Sequence, residues 1–133
     1  MGPQKPKDII LVVDDEPIIL RLATTAVADA GFRAAVAENG AAGLECYTKL
    51  KEEICLVLTD VVMPSFNGIE MADRILEIDP RAKILLMSGY SDAILETQGT
   101  QKGFPLIRKP FLAASLIQKI HEIVGTANAA SQG

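Results

Sequence analysis

Four places in the sequence carry side chains that could do chemistry together: the acidic triplet Asp14-Asp15-Glu16, then Asp60, Ser88 and Lys109. Taken singly, each has an ordinary role. Acids before Pro17 suit the start of a helix; Asp60 fits a turn, Ser88 a helix cap and Lys109 a solvated loop. Taken together they suit a hard divalent cation, which wants clustered carboxylate oxygens. Asp15 and Asp60 would hold Mg2+ (or Mn2+) through one oxygen each, waters and a backbone carbonyl completing an octahedron, with Asp14 acting through a bound water or a partner. The cation would relieve the repulsion that makes such a cluster costly. Asp60 would keep a second oxygen free as a nucleophile toward a phosphoryl group. Transfer mainly needs positioning and neutralisation of the equatorial oxygens: the metal would take one, Lys109 a second, and Ser88 with nearby backbone amides a third. The product would be an aspartyl phosphate. A carboxylate nucleophile needs no general base, and the single histidine, His121, is read as a surface residue of the last helix, remote from the site.

These groups can meet only if the chain brings them to one edge. Short β-rich runs occur at 9–13, 33–37, 55–59, 83–87 and 104–107. Between them the apolar period becomes helical at Pro17–Ala30, Ala41–Lys51, Gly68–Ile78, a weaker stretch near Ser91–Gln98, and Leu112–Val124. Strands this apolar, without alternation, belong in a parallel sheet covered on both faces, and right-handed crossovers place helices on each side. The expected architecture is a doubly wound α/β sandwich of five βα units. Ligands of such sheets bind beyond the carboxyl ends of the strands. The triplet follows the first strand, Asp60 the third, Ser88 the fourth and Lys109 the fifth. Random surface charge has no reason to choose those positions.

Composition narrows the classes further. A chain of 133 residues with 49% hydrophobic content suits one domain with a sizeable core. Domain limits are expected at 8–125, with disordered tails at 1–7 and 126–133. A formal net charge of −4 leaves no basic footprint for nucleic acid or an anionic membrane. No apolar run approaches the roughly 18 residues of a membrane span, and the N-terminus has no signal-peptide pattern, so a cytoplasmic location is expected. Cys46 and Cys55 have neither zinc nor disulfide spacing. Leu116, Ile120 and Ile123 recur at helical spacing and read as core, so a monomer or at most a weak dimer is expected.

In order and spacing, "VVDDEP" (12–17), "TDVVMPSFNG" (59–68), "LLMSG" (85–89) and "RKPF" (108–111) resemble the receiver domain of bacterial two-component response regulators across residues 8–125. The resemblance implies a flavodoxin-like (βα)5 fold with strand order 2-1-3-4-5. It also implies phosphotransfer to Asp60 from a histidine kinase or histidine phosphotransfer protein. Asp14 and Asp15 would form the acidic metal pocket, with the backbone carbonyl of Val62 as a further ligand. Ser88 would be the switch hydroxyl, Lys109 the phosphate contact, and Pro110 would follow a cis peptide bond. Gly68 matches the family's glycine near the third helix, with Asn67 as a cap in place of the usual Asp.

The chain departs from that pattern in four places. Leu106 stands where receivers carry a Tyr or Phe that moves with the switch hydroxyl, so a switch here is expected to work through Phe104, on the same strand face, or Tyr90, or through loop ordering. The stretch 91–105 carries Gly99, Gly103, Thr97 and Thr100, so its helix should be short and weakly held. Leu112 replaces a capping residue, at a cost of roughly 1 kcal/mol to the last helix. "MSGY" and "KPF" lean toward receivers attached to hybrid histidine kinases. The expected role is a phosphorylation-controlled interaction module that binds an unidentified downstream protein and turns over no separate substrate. Two alternatives remain open at this point. A haloacid-dehalogenase-like phosphatase would need an acid/base Asp two residues after its nucleophile, where this chain has Val62. A scaffold binding partners without phosphate would have little need of Asp60, Lys109 and the acidic pocket together.

Overall fold

The computed structural model describes residues 7–64, 66–89 and 92–125. Tyr90, residues 1–6 of the tail expected at 1–7, and the tail expected at 126–133 lie outside the described residues. Five βα units run in order: β1 (Ile9–Val13), α1 (Pro17–Asp29), β2 (Arg33–Ala37), α2 (Gly40–Leu50), β3 (Ile54–Asp60), α3 (Gly68–Ile78), β4 (Ile84–Ser88), α4 (Ala93–Gln101), β5 (Leu106–Arg108) and α5 (Ala113–Val124). The strands form one parallel sheet in the order β2-β1-β3-β4-β5.

Alternation along each strand divides the core into two layers. Ile9, Leu11, Val13, Val57, Ile84 and Leu86 face α2 and α3, where they meet Tyr47, Met71 and Ile75. Ile10, Val12, Leu56, Leu58, Leu85 and Met87 face α1 and α5, where they meet Ala23, Val27, Leu116 and Ile120. All five residues of β1 are buried because it is flanked by β2 and β3 and covered on both faces. Each fully buried Leu or Ile removes enough apolar surface to contribute roughly 1.5–3 kcal/mol.

Helix starts follow from local chemistry. At α3, Asn67 Oδ1 accepts from the Glu70 amide at 2.9 Å and Glu70 Oε1 accepts from the Asn67 amide at 3.0 Å, a reciprocal capping box. Pro17 supplies the fixed φ of the first turn of α1. Glu16 stands at that N-cap without a side-chain capping hydrogen bond, so the triplet does little side-chain capping; the Glu16 amide donates instead to Asp14 Oδ1 at 2.9 Å. Leu112 gives α5 no side-chain cap, and that helix begins at Ala113.

Three expectations are corrected. β5 begins at Leu106 rather than at residue 104, because Pro105 has no N–H and takes part only through its carbonyl, which accepts from Leu86 N at 3.0 Å. α4 reaches Gln101, past Gly99, since that glycine lets the helix approach Leu86: a Cβ there would lie 2.5 Å from its side chain. His121 is not a plain surface residue. It is half-buried, its Nε2 is 3.0 Å from the Ala30 carbonyl at the end of α1, and its ring lies 6.4 Å from that of Phe32. Among the described residues, no helix is long and apolar enough to cross a membrane.

Candidate functional site

Parallel strands deliver their carboxyl ends to one side, and the chemistry-bearing residues arrive there together. Asp14 follows β1, held to β2 by its amide on the Ala37 carbonyl at 3.1 Å. Asp60 ends β3, Ser88 ends β4, and Lys109 follows β5 with its amide 2.7 Å from the Ser88 carbonyl. The Lys109–Pro110 peptide is cis.

Lys109 Nζ sits among the acids, 2.8 Å from Asp14 Oδ2, 3.3 Å from Asp60 Oδ2 and 3.4 Å from Glu16 Oε1. Asp14 and Asp60 are buried, whereas Asp15 and Glu16 are exposed at the rim. Carboxylate oxygens of Asp14, Asp15, Glu16 and Asp60 all lie within 4.8 Å of one another. One ammonium cannot neutralise that much charge. Burial, reinforced by the Asp14 carboxylate, pushes Asp60 up to about 6 against the pull of Lys109. Burial also raises Asp14 despite its hydrogen bond from Lys109. Burial alone would lower Lys109, but the Asp14 hydrogen bond and the Asp60 and Asp14 charges outweigh it and raise the ammonium. An all-oxygen donor set, two members buried and short of positive charge, fits a hard cation such as Mg2+ and not a soft one.

The loop after β3 folds over Asp60. The Val62 amide points at Asp60 Oδ1 from 3.5 Å, a long contact, while the Val62 side chain is about half exposed. Below, α3 starts hard against the acceptor: a Cβ on Gly68 would lie 2.1 Å from the Asp60 carbonyl oxygen, so only glycine fits. Leu106 and Phe104 both pack, half-buried, against the core layer under α2 and α3. Sequence reasoning missed one participant. Glu96 of α4 accepts from Ser88 Oγ at 3.1 Å and pairs with Arg108 of β5. No motif marks it, because its place depends on how a helix of low amphipathicity docks on β4 and β5.

A doubly wound parallel sheet in the order 2-1-3-4-5, with acids and a half-buried lysine at the carboxyl ends of its strands, defines the class of flavodoxin-like domains. The sequence matches the response regulator receiver domain family over residues 10–121, and the chain belongs to that family. It is 33% identical over 117 residues to the response regulator receiver protein CpdR of Brucella abortus, an alignment covering 86% of this chain and 95% of that one. Its fold is similar to the crystal structure of a response regulator receiver domain protein from Clostridium thermocellum, with a TM-score of 0.79 and 27% identity over 93% of this chain and 94% of the other. It is also similar to CheY in the CheX-CheY-BeF3-Mg2+ complex from Borrelia burgdorferi, with a TM-score of 0.78 and 26% identity over 86% and 87% of the two chains.

Proposed function

We propose that this receiver domain accepts a phosphoryl group on Asp60 from a phosphohistidine of a histidine kinase or histidine phosphotransfer protein, in a Mg2+-dependent reaction, and thereby switches a protein-interaction surface. The observation that carries this reading is the convergence of buried Asp14, buried Asp60 and Lys109 Nζ at one sheet edge, with Asp60 3.3 Å from the ammonium. Asp15 and Asp60, with the Val62 carbonyl, would hold the cation and Asp14 would act on it through a bound water; when bound it supplies positive charge against the transferring phosphoryl oxygens.

In the transfer an Asp60 carboxylate oxygen attacks phosphorus, a P–O bond forms, and the P–N bond to the donor histidine breaks with the electron pair leaving on the imidazole nitrogen. Lys109 stabilises charge on a phosphoryl oxygen and needs no proton transfer to do so. The Val62 amide, 3.5 Å from Asp60 Oδ1, and the Ser88 hydroxyl would be neutral donors to the phosphoryl group. Burial excludes bulk water, which strengthens each of these interactions. Such a domain works as a signalling switch, and hydrolysis of its own acyl phosphate would reset it.

The CheY relative is in a complex with Mg2+, BeF3 and CheX, which supports a phosphoryl-type group, a cation and a protein partner here too. A cytoplasmic location and a domain spanning 8–125 belong to the same reading. Radiolabel transfer from a panel of histidine kinases of the same genome tests the donor. One or a few kinases should label the wild type and none should label Asp60→Ala; labelling that survives Asp60→Ala contradicts the assignment.

A further inference from the structure

The Ser88 hydroxyl already has a partner. It is fully buried at the end of β4 and donates to Glu96 Oε2 at 3.1 Å, with the Gly89 carbonyl 3.3 Å away. Glu96 lies in the first turn of α4, and its other oxygen pairs with Arg108 Nη2 on β5, whose side chain is 69% exposed. One carboxylate thus ties a buried hydroxyl at the acceptor edge to a guanidinium at the surface.

The helix that carries it is also anchored at its start, where Leu95 packs half-buried on the core layer under α2 and α3 and Asp92 Oδ2 accepts from the Gly89 amide at 2.7 Å. Gly99 is the only buried residue of α4, and the far end is held by Lys102 Nζ on Asp73 at 3.0 Å. A displacement of Glu96 can therefore shift the first turn of α4 without uncovering a fully buried side chain.

Resting on the acceptor role proposed for Asp60, we infer that Glu96 is a positioning residue that competes with modified Asp60 for the Ser88 hydroxyl and so couples the acceptor to α4 and β5. A serine hydroxyl has one proton to donate. In the unmodified chain that proton goes to Glu96. When Ser88 turns to a phosphoryl oxygen on Asp60, Glu96 Oε2 loses its buried donor and swings outward with Arg108, releasing the α4 end of the sheet. Leu106 has no ring to carry such a signal, whereas the Ser88–Glu96–Arg108 chain runs from the same hydroxyl to the same surface.

The test is a beryllofluoride titration with Mg2+, followed by amide NMR, on the wild type, Glu96→Ala, Glu96→Gln, Ser88→Ala and the Ser88→Ala/Glu96→Ala double variant. Removing the competitor should tighten binding roughly 3–10-fold in Glu96→Ala, the net worth of one ordinary hydrogen bond. Glu96→Gln, which keeps a weaker acceptor and the helix, should fall between. In the Ser88→Ala background the gain should shrink below about twofold, because the two residues act through one contact. Amides of Ala93–Gln101 should shift on binding in the wild type and start part-way shifted in Glu96→Ala. Unchanged affinity in both Glu96 variants, or an equal gain without Ser88, overturns the inference while leaving the acceptor role intact. A wild type that binds no beryllofluoride overturns the acceptor role, and the inference with it.

Discussion

Lys109 makes its shortest contact with Asp14 rather than with the acceptor: Nζ is 2.8 Å from Asp14 Oδ2 and 3.3 Å from Asp60 Oδ2. Asp14 is fully buried and depends on this ammonium for its compensating charge. Without metal, Lys109→Met should therefore destabilise the fold by on the order of 3 kcal/mol, since it strands a buried carboxylate. Millimolar Mg2+ should restore part of that loss, because a cation can replace the ammonium's charge without replacing its chemistry. Urea unfolding with EDTA and with Mg2+ measures both effects.

Asp60 titrates high, at about 6 instead of 3.8, because burial and the Asp14 charge disfavour its ionised form. The folded state thus holds this proton to higher pH than the unfolded chain, and Asp60 makes stability fall as pH rises between about 4 and 6. Above that window the full penalty remains. Asp60→Asn should accordingly stabilise the metal-free protein at pH 7 by roughly 1–3 kcal/mol and by much less near pH 4. The difference in melting temperature between the two proteins across pH isolates this group from other carboxylates. Asp79, for example, runs the opposite way, its pKa lowered by the Arg81 amide.

Gly68 links the third helix to the acceptor. With a Cβ placed 2.1 Å from the Asp60 carbonyl oxygen, Gly68→Ala must move either the first turn of α3 or the Asp60 peptide. A cost of about 1–3 kcal/mol is expected from the overpacking, together with slower phosphorylation at saturating acetyl phosphate. Stability loss with an unchanged labelling rate would place the strain in α3 alone.

The capping box of α3 is a milder probe. Asn67→Ala removes the acceptor for the Glu70 amide, at 2.9 Å, and should cost about 1 kcal/mol. Asn67→Asp should keep the cap, so chemical denaturation of the pair separates the hydrogen bond from side-chain size.

Much of this arrangement is legible in the sequence because periodicity and strand ends carry it. The apolar runs at 9–13 and 33–37 and the helix at Gly68–Ile78 lie where the structure has β1, β2 and α3, and those runs fix where Asp14, Asp60, Ser88 and Lys109 emerge. Legibility fails where tertiary contact overrides local preference. Gly99 reads as a helix breaker, yet it is buried inside α4 because only a glycine allows close approach to Leu86. His121 reads as solvated, yet it meets the Ala30 carbonyl only because α1 and α5 share a face of the sheet. Glu96 is invisible for the same reason: its partners, Ser88 and Arg108, are eight and twelve positions away on two different strands.

Intact-protein mass spectrometry after incubation with acetyl phosphate reads out whether Asp60 is a Mg2+-dependent phosphoacceptor. One added phosphoryl group is expected on the wild type with Mg2+, none with EDTA and none on Asp60→Ala. A wild type that stays unmodified with Mg2+, or an Asp60→Ala protein that still gains the group, would contradict that role.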